Sequence, residues 1–249
     1  SAGWPGFHLF FVFTIGTILA RSAGCVINDL ADKNFDPHVK RTRLRPLATN
    51  AISVNNAFFI LVCLLVPCLF LVLTLNTSTV ILSFGALAIM SAYPFMKRYT
   101  HFPQAFLGIA FSWGIPMAFS AGGGSLDATM WLLLAANWAW VIAYDTQYAM
   151  VDKDDDIKLG LKSTAIIFGK FSRLIIGVLQ FFCLGVLTLL GTSNEFGMVY
   201  QIAIFGAGLF FLYQHFLLSK ATRENYFAAF LNNHWVGFFI FLGICGNFL

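Results

Sequence analysis

NAFFILVCLLVPCLFLVLTL, residues 56–75, holds no charged side chain in twenty positions. A helix rises about 1.5 Å per residue, so twenty residues cover about 30 Å, the thickness of a bilayer's hydrocarbon core. The apolar run extends over 51–75, and seven more accompany it: 4–27, 77–96, 103–121, 126–150, 171–190, 197–218 and 232–249. A mean hydropathy of +0.78 and 29 Phe in 249 residues exclude an ordinary soluble domain. Backbone polar groups in lipid must pair within their own segment, so these runs predict helices. The expected fold is all-α: a polytopic transmembrane helical bundle of eight spans, forming one membrane-embedded domain over 1–249.

Charge placement tests that parity. Eight spans put successive connections on alternate sides, and fourteen of the fifteen basic residues fall in the connections after the first, third, fifth and seventh spans. Arg21 sits near the same end of its own helix. The opposite connections carry Asp127 and Glu195 and no Lys or Arg. The positive-inside rule places the basic side in the cytoplasm. The net charge of +4 reflects this topology and points to no nucleic-acid partner. The five Cys are scattered in apolar segments and read as reduced, buried small hydrophobes, with no metal spacing. The chain opens at Ser1 without a Met and reads as one whose start is missing.

Eight of the eleven acidic residues form two clusters where a span meets the basic side: Asp29, Asp32 and Asp36, then Asp145, Asp152, Asp154, Asp155 and Asp156. On a helix, Asn28, Asp32 and Asp36 share one face, with Asp29 turned about 100° away. Asp36 precedes Pro37, where the helix is expected to end. Asp145, Tyr148, Asp152 and Asp156 share a face in the same way, while Asp154 points to solvent. Stacked carboxylates near the negative end of a helix dipole call for a bound cation. The pattern Asp-Lys-x-x-Asp recurs at 32–36 and 152–156, which makes an internal repeat plausible.

Hard oxygen ligands without His or Cys suit Mg²⁺, which binds through a few carboxylates and substrate phosphates. The neighbouring Lys and Arg argue that the remaining ligand is an anion. Carboxylates, Mg²⁺ and basic residues together clamp a diphosphate, and the membrane-embedded aromatic walls imply a long apolar tail. A single Asp at a span end is commonly a solvated loop charge. Two matched clusters favour function, because acids beside membrane helices are costly. Topology alone explains Lys158, Lys162, Lys170 and Lys220.

Asn28-Asp29-x-x-Asp32-x-x-x-Asp36 resembles the first aspartate-rich motif of the UbiA-type membrane-embedded aromatic prenyltransferases. The string Tyr144-Asp145-Thr146-Gln147-Tyr148-Ala149-Met150-Val151-Asp152-Lys153-Asp154-Asp155-Asp156 resembles the second, and Tyr93-Pro94-Phe95-Met96-Lys97-Arg98 is similar to the loop between them. These strings are most similar to the branch of that family acting on 4-hydroxybenzoate in ubiquinone biosynthesis. The resemblance covers the whole chain from the family's second span onward; the first of the family's nine, with its Asp-Lys-Pro segment, has no counterpart here.

The resemblance implies that Asn28, Asp32, Asp36, Asp152 and Asp156 hold Mg²⁺ and bind a polyprenyl diphosphate. Lys153, Arg43, Arg41 and Lys97 are implied phosphate contacts, and Asp145 is an implied substrate contact. Departure of the diphosphate leaves an allylic cation, which Tyr148 is placed to stabilise by cation–π attraction. The carbon ortho to the phenol of 4-hydroxybenzoate then attacks, with Arg98 anchoring the benzoate carboxylate or a phosphate. The implied location is a bacterial inner membrane with the site on the cytoplasmic face. Competing readings are another acceptor (a naphthoate, a homogentisate, haem), a CDP-alcohol phosphotransferase and a cation transporter. The second gathers its acids in one stretch, and the third sets them near the bilayer midplane.

Overall fold

A computed structural model describes residues 4–248, and every regular element among them is helical. The long helices are α1 (Phe7–Asp32), α2 (Val54–Leu73), α3 (Thr77–Ala92), α7 (Ala128–Lys158), α9 (Ser172–Ser193), α10 (Met198–Ser219) and α11 (Arg223–Phe248). Between them lie α4 (Met96–Tyr99), α5 (Pro103–Ser112), α6 (Gly114–Ala121) and α8 (Thr164–Phe168).

Seven helical stretches are long and apolar enough to cross a membrane: Phe7–Asp32, Val54–Leu73, Thr77–Tyr99, Pro103–Ala121, Thr164–Ser193, Met198–Ser219 and Arg223–Phe248. The eighth expected span, 126–150, is α7, a helix of 31 residues that does not belong to that set. The reason is its position. Helices α5, α9 and α11 pack around it, and Thr146, Gln147 and Asp152 on it are buried. Polar side chains in a membrane bundle face the interior, so the axial helix loses the apolar signature of its neighbours. The span expected over 232–249 starts earlier, at Arg223, and its last residue lies outside the described ones.

Local chemistry sets the boundaries. Ser53, Asn76 and Asp127 cap α2, α3 and α7, each accepting a hydrogen bond from the backbone N–H three residues on. The segment 103–121 divides at Trp113 into α5 and α6. Pro116 has no N–H to donate to the Ser112 carbonyl, so the helix interrupts there. The Ser112 hydroxyl is buried and accepts from Asn137 Nδ2 on α7 at 2.9 Å. Gly123, with φ of 73°, makes the turn after α6. All five Cys are free thiols, but only Cys183 is buried. Cys25 and Cys63 are exposed, so the expectation of buried cysteines fails for them; Cys25 Sγ accepts from Arg21 Nη1 one helical turn away.

A ladder of amides joins α7, α9, α10 and α11 inside the bundle. Gln214 Oε1 accepts from Gln147 Nε2 at 3.0 Å and from Gln180 Nε2 at 2.8 Å, and Gln214 Nε2 donates to Asn232 Oδ1 at 3.2 Å. Asn233 Nδ2 donates to Gln147 Oε1 at 2.9 Å, and Trp140 Nε1 to Asn233 Oδ1 at 2.9 Å. Gln147, Gln180, Gln214 and Asn233 are buried, so each amide depends on the next. At Gly243 a Cβ would lie 2.5 Å from Ala203 Cβ, which shows how closely α11 approaches α10. Gln214→Leu removes three ladder bonds at once. At about 0.6 kcal/mol per interhelical bond in a membrane, it should destabilise the protein by about 2 kcal/mol. Thermal unfolding in detergent measures this; an unchanged midpoint would contradict it.

Candidate active site

The first acidic cluster straddles a break. Helix α1 ends at Asp32, and Asp36 opens a short 3₁₀ turn over Asp36–His38. Pro37 cannot donate to the Lys33 carbonyl, and tighter bonds take over, Phe35 N to Asp32 O at 2.8 Å and His38 N to Phe35 O at 2.9 Å. The expected single face of Asn28, Asp32 and Asp36 therefore holds only for the first two. The second cluster does continue on one helix, since α7 runs through Asp152 and Asp156 to Lys158. The repeated sequence pattern thus has two different backbones. Asp32, Asp36 and Asp152 are nonetheless all buried, at 3, 4 and 8% exposure.

What neutralises these buried carboxylates is the basic stretch after them. Arg41 donates from Nη2 to Asp152 Oδ2 at 2.6 Å and from Nε to the same oxygen at 3.0 Å, tying the loop after the first cluster to the second. Its guanidinium also lies 4.2 Å above the Tyr148 ring. Arg45 Nη1 donates to Asp29 Oδ1 at 2.8 Å and to Asp36 Oδ2 at 3.1 Å. Lys97 Nζ donates to Asp32 Oδ2 at 2.6 Å. Asp29, which the helical wheel turned away from its neighbours, joins the site because the loop folds back and sets Arg45 between it and Asp36.

Two acids remain incompletely satisfied. Asp32 Oδ1 is buried without a hydrogen-bond partner. Asp156 is pushed up to about 7, chiefly by burial and then by the Asp152 carboxylate, with Lys97 and Arg41 opposing. Among the described residues no three Asp, Glu, His or Cys side chains converge as a ready metal cage. The donor set nonetheless fits Mg²⁺: hard oxygens, one of them orphaned, and a half-buried Asn28 on the same face of α1 as Asp32.

The remaining predicted residues differ in placement. Arg98 donates from Nη2 to the Ala31 carbonyl, and its guanidinium lies 5.1 Å from the Phe35 ring and 5.0 Å from Phe95. It staples the end of α1. Lys153 is half-buried and Arg43 exposed, and neither pairs with an acid among the described residues. Asp145 is half-buried on α7 and likewise forms no ion pair there. Asp154 is exposed as expected, yet meets Arg223 Nη2 at 3.3 Å. Arg223 Nη1 lies 3.0 Å from Asp155 Oδ2 and holds that carboxyl below the usual range. Lys40 N also donates to Asp155, at 3.4 Å, pinning the basic loop to α7.

An aromatic wall stands beside the acids. Tyr148 lies 4.6 Å from Phe230 and 6.3 Å from Phe227, and Tyr144 lies 6.1 Å from Phe230 and 5.9 Å from Trp140. Arg21 is the residue that sequence reasoning passed over. It sits about three turns before the end of α1, not at that end, 5.7 Å from the Phe111 ring. There it is close enough to act electrostatically on Asp145, Tyr93 and Tyr144. Its isolation from the other fourteen basic residues was the available signal.

Comparison with known proteins agrees with this geometry. Residues 1–242 match the model of the UbiA prenyltransferase family. The chain is 51% identical over 242 residues to a 4-hydroxybenzoate octaprenyltransferase of Photobacterium profundum, covering 97% of this chain and 84% of that protein. Its fold superposes on a UbiA homolog from Aeropyrum pernix K1 with a TM-score of 0.86 at 24% identity, over 98% of this chain and 91% of that one. A UbiA homolog from Archaeoglobus fulgidus bound to DMAPP and Mg²⁺ gives 0.73 at 16% identity, over 98% and 90%. The chain belongs to the UbiA prenyltransferase family.

Proposed function

We propose that this protein transfers a polyprenyl group from its diphosphate to the ring carbon ortho to the hydroxyl of 4-hydroxybenzoate, in ubiquinone biosynthesis. The observation that carries the reading is that the basic loop after the first acidic cluster reaches the second, where Arg41 pairs with Asp152, 111 residues further along the chain. Its acceptor and donor follow from the 51% identity to a 4-hydroxybenzoate octaprenyltransferase. The site opens to the cytoplasm of a bacterial cell, on the side that carries the basic loops.

Asn28, Asp32, Asp36, Asp152 and Asp156 would hold Mg²⁺; that a structure of the same fold is bound to DMAPP and Mg²⁺ supports the ion, and the orphaned Asp32 Oδ1 supports its place. The chemistry the ion supplies when bound is neutralisation of the diphosphate, in place and as it departs. Arg41, Arg45 and Lys97 pair with carboxylates in the free protein and turn to the phosphates when substrate enters. Lys153 and Arg43 add positive charge at the rim. The bond between the allylic carbon and the diphosphate oxygen breaks with its electron pair leaving on oxygen. Tyr148 offers its ring face to the resulting cation, and Phe227 and Phe230 behind it help to exclude water that would capture that cation. The new carbon–carbon bond forms to the ortho carbon, and the ring then loses its proton. The benzoate carboxylate falls to Arg21, a cation within a spanning helix, while Arg98 holds the Ala31 carbonyl through Nη2 and keeps a buried, unpartnered Nε for a phosphate oxygen.

Membranes containing the protein, supplied with labelled 4-hydroxybenzoate and a polyprenyl diphosphate, should form a prenylated product with Mg²⁺. EDTA or Asp152→Ala should abolish it. Absence of product with Mg²⁺ and the intact protein would overturn the reading. Arg21→Leu should raise KM for 4-hydroxybenzoate about tenfold, the worth of one hydrogen bond to a charged group at about 1.5 kcal/mol, and leave KM for the diphosphate near its original value. An equal effect on both substrates would remove Arg21 from the acceptor site.

A further inference from the structure

Outside the acidic site, a groove of about 570 Å³ runs along the outer face of the bundle between α9 and α10. Lys170 and Arg173 stand at its upper end, on the basic side, and Leu174, Val178 and Phe181 continue down it. The last three follow one another at helical spacing along a single face of α9. They are 64, 59 and 79% exposed, so no helix among the described residues covers them. Gly177 and His215 form the floor. A Cβ at Gly177 would come within 3.2 Å of the His215 imidazole, so the missing side chain lets that ring lie against α9. His215 Nε2 in turn lies 3.0 Å from Gln180 Oε1, which ties the floor to the amide ladder and keeps it rigid.

The charge of the groove is one-sided. No Asp or Glu lines it, and neither Lys170 nor Arg173 has a carboxylate partner among the described residues. Lys170 Nζ rests 5.2 Å from the Phe171 ring. Positive-inside topology accounts for basic residues at this end of a span, but not for two of them opening onto a preformed apolar trough. Lys220 provides the contrast: it lies at the end of α10 beside Phe216, 4.7 Å from the ring, and takes no part in the groove. A cationic end at the membrane interface followed by an apolar length toward the bilayer interior is the order of groups in a phospholipid. Basic pockets between spanning helices are suited to anionic headgroups.

We propose that this groove binds one anionic phospholipid from the leaflet on the basic side. Lys170 and Arg173 hold its phosphate, and one acyl chain lies along Leu174, Val178 and Phe181. The site is separate from the prenyl-transfer site and does not depend on that assignment. Lipid held there packs against both α9 and α10 and seals the outer side of the amide ladder.

Native mass spectrometry of the purified full chain, titrated with phosphatidylglycerol or phosphatidylcholine, tests this directly. The expected result is one preferentially bound phosphatidylglycerol. Lys170→Gln and Arg173→Gln should each weaken it about fivefold, the contribution of one basic residue near an anionic surface. Lys220→Gln should leave it unchanged. Equal weakening by all three substitutions would reduce the effect to diffuse surface charge and overturn the site. Equal binding of the two lipids would also overturn it. A third arm adds glycerol 3-phosphate to protein in phosphatidylcholine: if it displaces bound phosphatidylglycerol at micromolar concentration, the ligand is a soluble phosphate and the lipid assignment fails.

Discussion

Everything on the basic face depends on one electrostatic constraint: carboxylates buried against membrane helices must be neutralised. Asp32, Asp36 and Asp152 are each nearly inaccessible, and α1 presents Asp32 at the negative end of its dipole. Unpaired, such charges would be too costly to bury. The segment 39–47 supplies the remedy by folding back over the cluster, with Arg41 on Asp152 and Arg45 between Asp29 and Asp36. Lys97 closes the third side on Asp32. The free site is thus built from its own opposites. Those cations are the groups a diphosphate needs, and those carboxylates are the groups a divalent metal needs.

The bundle behind the site gives that arrangement a fixed frame. Helix α7 carries the second acidic cluster at one end and the amide ladder in its middle. The residues that position Asp152 and Tyr148 are therefore continuous with those that lock α9, α10 and α11 together. Because α11 is held through Asn233, its residues Phe227 and Phe230 are held beside Tyr148. The ladder sits away from the chemistry but sets the register of the aromatic wall.

Much of this was legible in residue order. Uncharged runs of span length indicated the membrane bundle, and two acidic clusters on one side indicated the clamp. The limits were physical. A helical wheel assumes an unbroken helix, and Pro37 ended α1 early, so Asp36 reached the site by a turn and Asp29 by the return of Arg45. Helix α7 was read as an ordinary span because an apolar count does not distinguish a lipid-facing helix from an axial one. Arg98 stood in a motif and was expected on substrate; the structure adds a contact the motif did not show, Nη2 on the Ala31 carbonyl, and leaves the buried Nε without a partner. Arg21 stood in no motif. Its meaning emerged only in the fold, where its charge acts on Asp145 and Tyr144 of α7.

The most direct test of this account is a double-mutant cycle on Arg41 and Asp152, read as thermal stability in the absence of metal and substrate. Arg41→Ala alone leaves Asp152 buried without its cation, and Asp152→Ala alone removes the anion that holds Arg41 over Tyr148. If the pair joins the two clusters, the two changes are strongly non-additive, with a coupling of about 1–3 kcal/mol, as for contacting residues in one charged network. Additive effects within about 0.5 kcal/mol, the range for independent sites, would mean that Arg41 does not neutralise Asp152. The self-paired site would then be the wrong description of this protein.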